Sequence, residues 1–263
     1  MSPSTTDLEE IALPRRPLRV SFPGEPGGVD QDEEWFEFED QGQRRRLRLH
    51  DYAAIYDTPG LYESLVYRAL KCRSPERVAR PLKEALAAQS QSMESLRVID
   101  LGAGNGIVGA LLRRRGVRQV MGIDILPEAA RAARRDNPHA YDDYVVTDLT
   151  QSEPAAEKRL RDFAPNCLVT VAALGFGDIP PEAFVKAFNL LPPGAWLALC
   201  IKDRFLEEDD DSGFGRLIRG MVADATIEVL HRERYVHRVS IAGEKLHYVA
   251  VIARKQRHAR ISR

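Results

Sequence analysis

The chain of 263 residues is 44% hydrophobic and 29% charged, the make-up of a globular protein long enough to bury a core without disulfides or metal. With 38 Lys and Arg against 39 Asp and Glu, the net charge is −1, which argues against a strongly basic nucleic-acid binder. No apolar run approaches ~20 residues, so no transmembrane helix is expected. The amino terminus lacks the basic-then-apolar layout of a secretion signal, and Cys72, Cys167 and Cys200 form no CxxC pair, which together fit a reducing cytoplasm.

Residues 1–30 have no sustained period and carry the breaker cluster Pro23-Gly24-Glu25-Pro26-Gly27-Gly28, so they read as a flexible arm. The acidic run Asp30, Asp32, Glu33, Glu34 reads as a solvated charge run. Apolar and charged residues then alternate over 34–38 and 46–49 around a turn-rich stretch, which predicts a β-hairpin. Residues 51–70 predict two short helices broken at Pro59-Gly60. Ser74-Pro75-Glu76 has the layout of a capped helix start, with Leu82, Leu86 and Ala87 on the inner face. Residues 31–95 thus form an extension ahead of the main domain, a possible lid.

From 96 to 263 the pattern is one of alternating strands and helices. Strands are predicted at 96–101, 119–125, 144–147, 167–173 and 196–202. Helices are predicted at 105–115, 127–135, 154–163, 181–191 and 214–223. A closing hairpin spans 226–239 and 245–254 around Ala242-Gly243. Repeated β-α units predict an α/β domain with a mainly parallel sheet covered on both faces. The hairpin supplies an antiparallel edge.

In such sheets ligands bind beyond the carboxyl ends of the strands, so the strand-to-helix turns matter most. The first turn, RVIDLGAGNGIVGA, places Asp100 at a strand end and Gly102, Gly104 and Gly106 at alternate positions. Glycines allow positive φ and close backbone approach, and the helix that follows points free N–H groups at the same space. A dinucleotide loop needs glycine at 107, where Ile107 stands. The second and third turns end in Asp124 and Asp148, giving acids at three consecutive strand ends.

These turns resemble those of the class I, Rossmann-like, S-adenosylmethionine-dependent methyltransferases, whose first motif is an acid followed by alternating glycines. The resemblance implies a seven-stranded sheet and S-adenosylmethionine as cofactor, with S-adenosylhomocysteine as product. It places Asp100, Gly102, Ala103, Gly104, Asn105 and Gly106 in the cofactor loop. It gives Asp124 to the ribose hydroxyls, Ile125 to the adenine face, and Asp148 with Leu149 to the adenine amino group. Ala172 and Ala173, in VAALGFGDIP, line the methionine side through their backbone. Many such enzymes carry a tyrosine-bearing segment that folds over the cofactor; Tyr52, Tyr56 and Asp57 lie in DYAAIYD, with Tyr56 the better candidate. Over about residues 97–204 the chain looks most like the small Williams–Beuren critical-region-type methyltransferases.

The Asn/Asp-Pro-Pro-aromatic motif of enzymes that methylate base amines is replaced here by Ala-Ala-Leu-Gly, so nucleic acid is not the expected acceptor. Cys167 and Cys200 read as buried structural thiols. A small-molecule acceptor is expected, and no membrane partner. Methyl transfer needs mainly alignment, which can supply ~7–11 kcal/mol of the barrier, so no base is obligatory. Candidates for one are His50, Asp178, Lys202 and Asp203. His231, His237 and His247 read as structural or exposed. No residue set has metal-ligand spacing. The acidic run 207–211 and the basic tail 254–263 read as a surface loop and a frayed end. Two other functions share these features: a non-catalytic module that binds the same cofactor, and a nucleotide-dependent oxidoreductase.

Overall fold

The computed structural model describes residues 17–23, 33–175, 178–207 and 213–260. Most of the arm 1–30, including Gly24 to Gly28, lies outside the described residues. So do Asp30, Asp32, four residues of the acidic run at 208–211 and the last three of the basic tail.

Seven strands form one sheet in the order β6-β5-β4-β7-β8-β10-β9. They are β4 (Arg97–Leu101), β5 (Gln119–Asp124), β6 (Asp143–Val146), β7 (Cys167–Leu174), β8 (Trp196–Lys202), β9 (Ile227–Val239) and β10 (Lys245–Lys255). β4 to β8 are parallel, and β10 enters antiparallel between β8 and β9. This is the predicted α/β, Rossmann-like fold. Its apolar strand runs are explained by burial on both sides: in β4, Val98 faces one core and Ile99 the other. Helices α2 (Ser74–Ala88) and α3 (Ile107–Arg114) cover the Val98 side. Helices α5 (Pro154–Phe163), α6 (Pro181–Asn189) and α7 (Phe214–Ala223) cover the Ile99 side.

A three-stranded sheet stands ahead of this domain: β1 (Val20–Ser21), β2 (Trp35–Asp40) and β3 (Gln43–Arg48). The β2–β3 hairpin was expected; β1 was not, because two residues have no readable period. α1 (Tyr52–Asp57) and a π-helical turn (Glu63–Ala69) follow, and Thr58–Tyr62 separates them. Phe36, Phe38, Ile55, Leu61, Leu65 and Leu70 give this extension its own small core.

Three local expectations need correction. Ser74 does not cap α2; it is the first helical residue, and its hydroxyl turns inward to His237 Nδ1 and Tyr235 OH, each at 2.6 Å. Ala87 is exposed rather than inward, the inner face being Val78, Ala79, Leu82 and Leu86. Glu34 is not solvated: it is 2% exposed and accepts 2.9 Å hydrogen bonds from Arg238 Nη2 and the Ile241 N–H. A buried carboxylate requires such partners, and only the meeting of the hairpin with β9 supplies them.

Candidate active site

The sheet order reverses at β4, whose neighbours β5 and β7 lead away in opposite directions. Beyond that edge lies a cleft of about 660 Å³. Its walls include Gly102 from the first turn, Asp124 and Ile125 from the second, Asp148 and Leu149 from the third, and Ala172 and Ala173 from the fourth. Tyr56 of α1 closes it from above. Ile125 is 55% exposed, an apolar side chain held open between two carboxylates. A smaller cavity of about 90 Å³ runs inward under α1 and the π-helical turn; Tyr56, Gly102, Ala103, Gly104, Asn105 and Ala172 are on its wall.

The glycine turn is held from several directions. Gly102, Gly104 and Gly106 all have positive φ, between 53° and 88°. Gly106 caps α3, so the helix begins at Ile107 rather than at the expected Asn105. Asp124 Oδ2 accepts the Gly104 N–H at 2.9 Å, and Oδ1 accepts the Leu126 N–H at 3.0 Å. Burial raises its pKa, and those hydrogen bonds oppose the rise. Tyr144 donates to Gly104 O at 2.9 Å, and Asn137 Nδ2 donates to Asn105 O at 2.9 Å. Asn105 Nδ2 donates at 2.7 Å to Glu63 Oε1 of the π-helical turn. Burial pushes that carboxyl up to about 7.

Asp100 and Gly106 line neither cavity. Asp100 is 1% exposed beneath the turn, where Tyr141 OH donates to its Oδ2 at 2.7 Å. Burial pushes its carboxyl up to about 7, against the lowering effect of Tyr141. Between its unfolded value and about 7 the folded chain therefore keeps a proton that the unfolded chain has shed, and stability falls as pH rises through that window. We expect Asp100→Asn to remove this dependence. In parallel denaturant titrations, the wild type should lose about 2–3 kcal/mol relative to the variant between about pH 5 and about pH 8. Equal slopes for the two proteins would show that Asp100 stays ionised.

Asp148 Oδ1 accepts the Thr150 N–H at 2.8 Å and its hydroxyl at 2.7 Å, bonds that lower its pKa while it faces the cleft. At the fourth turn, β7 bulges between Val171 and Leu174. Ala172 has φ 55° and donates its N–H to Cys200 Sγ at 3.2 Å. A bulge re-aims backbone, and here it turns the Ala172–Ala173 segment to the cleft. Cys72, Cys167 and Cys200 are all buried thiols.

Residues 70–240, well over half of the chain, match the family described as "Methyltransferase domain". The chain belongs to this methyltransferase family. Among solved structures, a candidate RNA methyltransferase of Pyrococcus horikoshii is similar over 71% of this chain and 87% of its own, with 15% identity and a TM-score of 0.52. The magnesium protoporphyrin IX methyltransferase of Synechocystis PCC 6803 with bound S-adenosylmethionine covers 69% of this chain and 79% of its own, at 15% identity and TM-score 0.46. A Mesorhizobium loti S-adenosylmethionine-dependent methyltransferase covers 69% and 100%, at 17% and 0.47. At these identities the likeness is one of fold. No curated protein sequence matches the chain. None of the matches named here reaches the narrower Williams–Beuren type.

The protein is thus an S-adenosylmethionine-dependent methyltransferase. Among the described residues, no helix of this methyltransferase is long and apolar enough to cross a membrane. Of the four candidate bases, the fold brings two together: His50 Nδ1 lies 3.7 Å from Asp178 Oδ2, and both line both cavities. Lys202 and Asp203 line neither, and Asp203 takes Arg234 Nε at 2.8 Å. Asp57 points away from the cleft to Arg131 at 3.0 Å. Reasoning from the sequence missed Tyr141, Tyr144, Glu63 and the Glu34–Arg238 pair, because each acts on a segment distant in the chain. The spacing of the two tyrosines within YDDY carries no helix or strand period that singles them out.

Proposed function

We propose that the methyltransferase acts on a small-molecule acceptor in the cytoplasm, with Tyr56, Asp100, Gly102, Ala103, Gly104, Asn105, Gly106, Asp124, Ile125, Asp148, Leu149, Ala172 and Ala173 forming the cofactor site. The observation that carries this reading is the convergence of four strand-end turns on one cleft of about 660 Å³. Its chemistry suits S-adenosylmethionine. Two carboxylates that accept hydrogen bonds flank an exposed Ile125, as a ribose and a flat adenine require. Asp100 and Gly106 serve from below, the first by bracing the turn and the second by starting α3. The bound cofactor supplies an electrophilic methyl group on sulfur. The chain aligns the acceptor and keeps out water, and the extension ahead of α2, residues 33–70, acts as the roof. Arg135 Nη2 anchors that roof by donating to Tyr56 O at 2.8 Å.

Ile107 stands where a dinucleotide loop needs glycine, so the expected ligand preference is sharp. In isothermal titration, S-adenosylhomocysteine should bind and NAD should give no heat of binding. NAD binding tighter than S-adenosylhomocysteine would overturn the reading in favour of an oxidoreductase.

A further inference from the structure

The small cavity beneath α1 and the π-helical turn shares walls with the cleft at Tyr56, Gly102 and Ala172. Much of its lining is apolar or aromatic: Leu65, Leu70 and Ile107, with the rings of Tyr62, Tyr67 and Tyr248. At about 90 Å³ it is smaller than the ~150 Å³ that admits a benzene ring, so it takes a substituent and not the body of a ligand. β9 brings His237 and Arg238 to its wall, both more than nine-tenths buried. Arg238 gives Nη2 to Glu34 and Nη1 to Val239 O, so its charge is matched within the fold.

The surroundings of His237 fix its tautomer. The ring stacks on Tyr248 with 3.9 Å between centroids. Nδ1 faces Ser74 Oγ at 2.6 Å and Cys72 Sγ at 3.7 Å. Burial raises the pKa of the Tyr235 hydroxyl and of the Cys72 thiol, so both keep their hydrogens. The Cys72 sulfur already accepts the Ser74 N–H, and the Cys200 sulfur the Ala172 N–H, so each thiol has its own hydrogen to give. The hydrogens then run one way. Cys200 donates to Tyr235 and Tyr235 to Ser74, while Ser74 and Cys72 donate to Nδ1. Burial holds the imidazole uncharged, so its single ring hydrogen sits on Nε2. That nitrogen, at the ring edge turned away from Ser74, has no hydrogen-bond partner among the described residues and is not sealed in the packing. It is a fixed donor on the cavity wall.

We propose that the inner cavity is a specificity subsite for the methyl acceptor, in which His237 Nε2–H hydrogen-bonds the oxygen of an uncharged carbonyl substituent such as an acetyl or carboxamide group. This rests on the methyltransferase reading of the cleft. A carboxylate does not suit the subsite. Arg238 is already matched by Glu34, and one neutral donor does not offset the cost of burying an anion. An apolar group of the same shape leaves Nε2–H buried without a partner, and that penalty sets the specificity. His237 is thus a specificity-determining residue, and no proton leaves it during methyl transfer.

The test uses the full chain saturated with S-adenosylhomocysteine and two probes of one shape. Acetophenone carries a carbonyl oxygen where α-methylstyrene carries a methylene carbon. Acetophenone should bind about tenfold more tightly in the calorimeter, the effect of one buried hydrogen bond gained against one donor left unpaired. His237→Phe should bring acetophenone down to the level of α-methylstyrene, whose own affinity should hold. His237→Gln, which keeps an N–H donor, should keep part of the preference. A purely structural role would weaken both probes alike. Nitrogen NMR of labelled histidine reads the same claim in the wild type, without any variant. Nε2 should carry the hydrogen, Nδ1 should not, and acetophenone should move the Nε2 signal. Equal binding of the two probes, no binding of acetophenone, uniform weakening by His237→Phe or a hydrogen on Nδ1 overturns the proposal, with S-adenosylhomocysteine binding intact. If S-adenosylhomocysteine itself gives no heat of binding, the underlying reading of the cleft fails first and the proposal falls with it.

Discussion

Replacing Asp124 with alanine is expected to weaken S-adenosylhomocysteine binding at least tenfold and to lower the melting temperature of the unliganded protein as well. The first effect follows from losing hydrogen bonds between ribose hydroxyls and a charged acceptor, worth ~1.5–3 kcal/mol each. The second comes from the fold. In the unliganded chain the carboxylate already accepts the N–H groups of Gly104 and Leu126, so it joins the first turn to the second. Alanine leaves both N–H groups without that acceptor and frees the glycine turn. A loss of about 2 kcal/mol would lower the melting temperature by roughly 4–8 °C in a chain of this size. Calorimetry and thermal melting on the same preparation separate the two effects. A lowered melting temperature with unchanged affinity would assign Asp124 to the scaffold alone.

Gly104→Ala is expected to be more damaging still, and part of that damage should be undone by Tyr56→Phe. Gly104 has φ 53°, and a Cβ there would stand 2.6 Å from the Tyr56 hydroxyl and 3.3 Å from the ring carbon that bears it. Left-handed backbone costs a residue with a Cβ roughly 1–2 kcal/mol. The steric conflict adds about 1–3 kcal/mol, relieved only if α1 lifts off the turn. Lifting α1 opens the roof of the site, so cofactor affinity and stability should fall together. Removing the hydroxyl takes away the shortest contact and leaves the backbone strain. The double variant should therefore be more stable than the sum of the single changes predicts, with a coupling of about 1 kcal/mol or more. Additive behaviour in denaturant melts would show that α1 does not rest on the turn in solution.

Much of the candidate site was legible because its residues sit next to strand ends. Asp100, Asp124 and Asp148 each close a hydrophobic run, and the alternate glycines after Asp100 announce a turn that needs positive φ. The element order was legible for the same local reason: apolar runs fill β4, β5, β7 and β8, and prolines open α4 (Pro127–Asp136), α5 and α6. What stayed hidden depends on contacts between distant segments. Glu34 sits in an acidic run that reads as solvated, yet Arg238, 204 residues later, makes it a buried partner. Ser74 has the layout of a cap, yet it serves the buried His237 and Tyr235. The β7 bulge left no mark in Val-Ala-Ala-Leu, since alanine tolerates the left-handed backbone at Ala172 only under the constraint of its neighbours.

The sequence by itself therefore determined the α/β class, the order of its elements and the set of strand-end turns, because periodicity and turn chemistry are short-range properties of the chain. The tertiary structure decided which of those turns carry side chains into the cleft and which, like Asp100, brace it from below. It also decided that His50 of the extension meets Asp178 of the sheet, 128 residues later. That pairing follows from how the extension packs over the sheet edge, through contacts such as the buried Glu34–Arg238 pair and the hydrogen bond from Arg135 to Tyr56 O. Burial and long-range closure set such contacts, and neither leaves a period in the sequence.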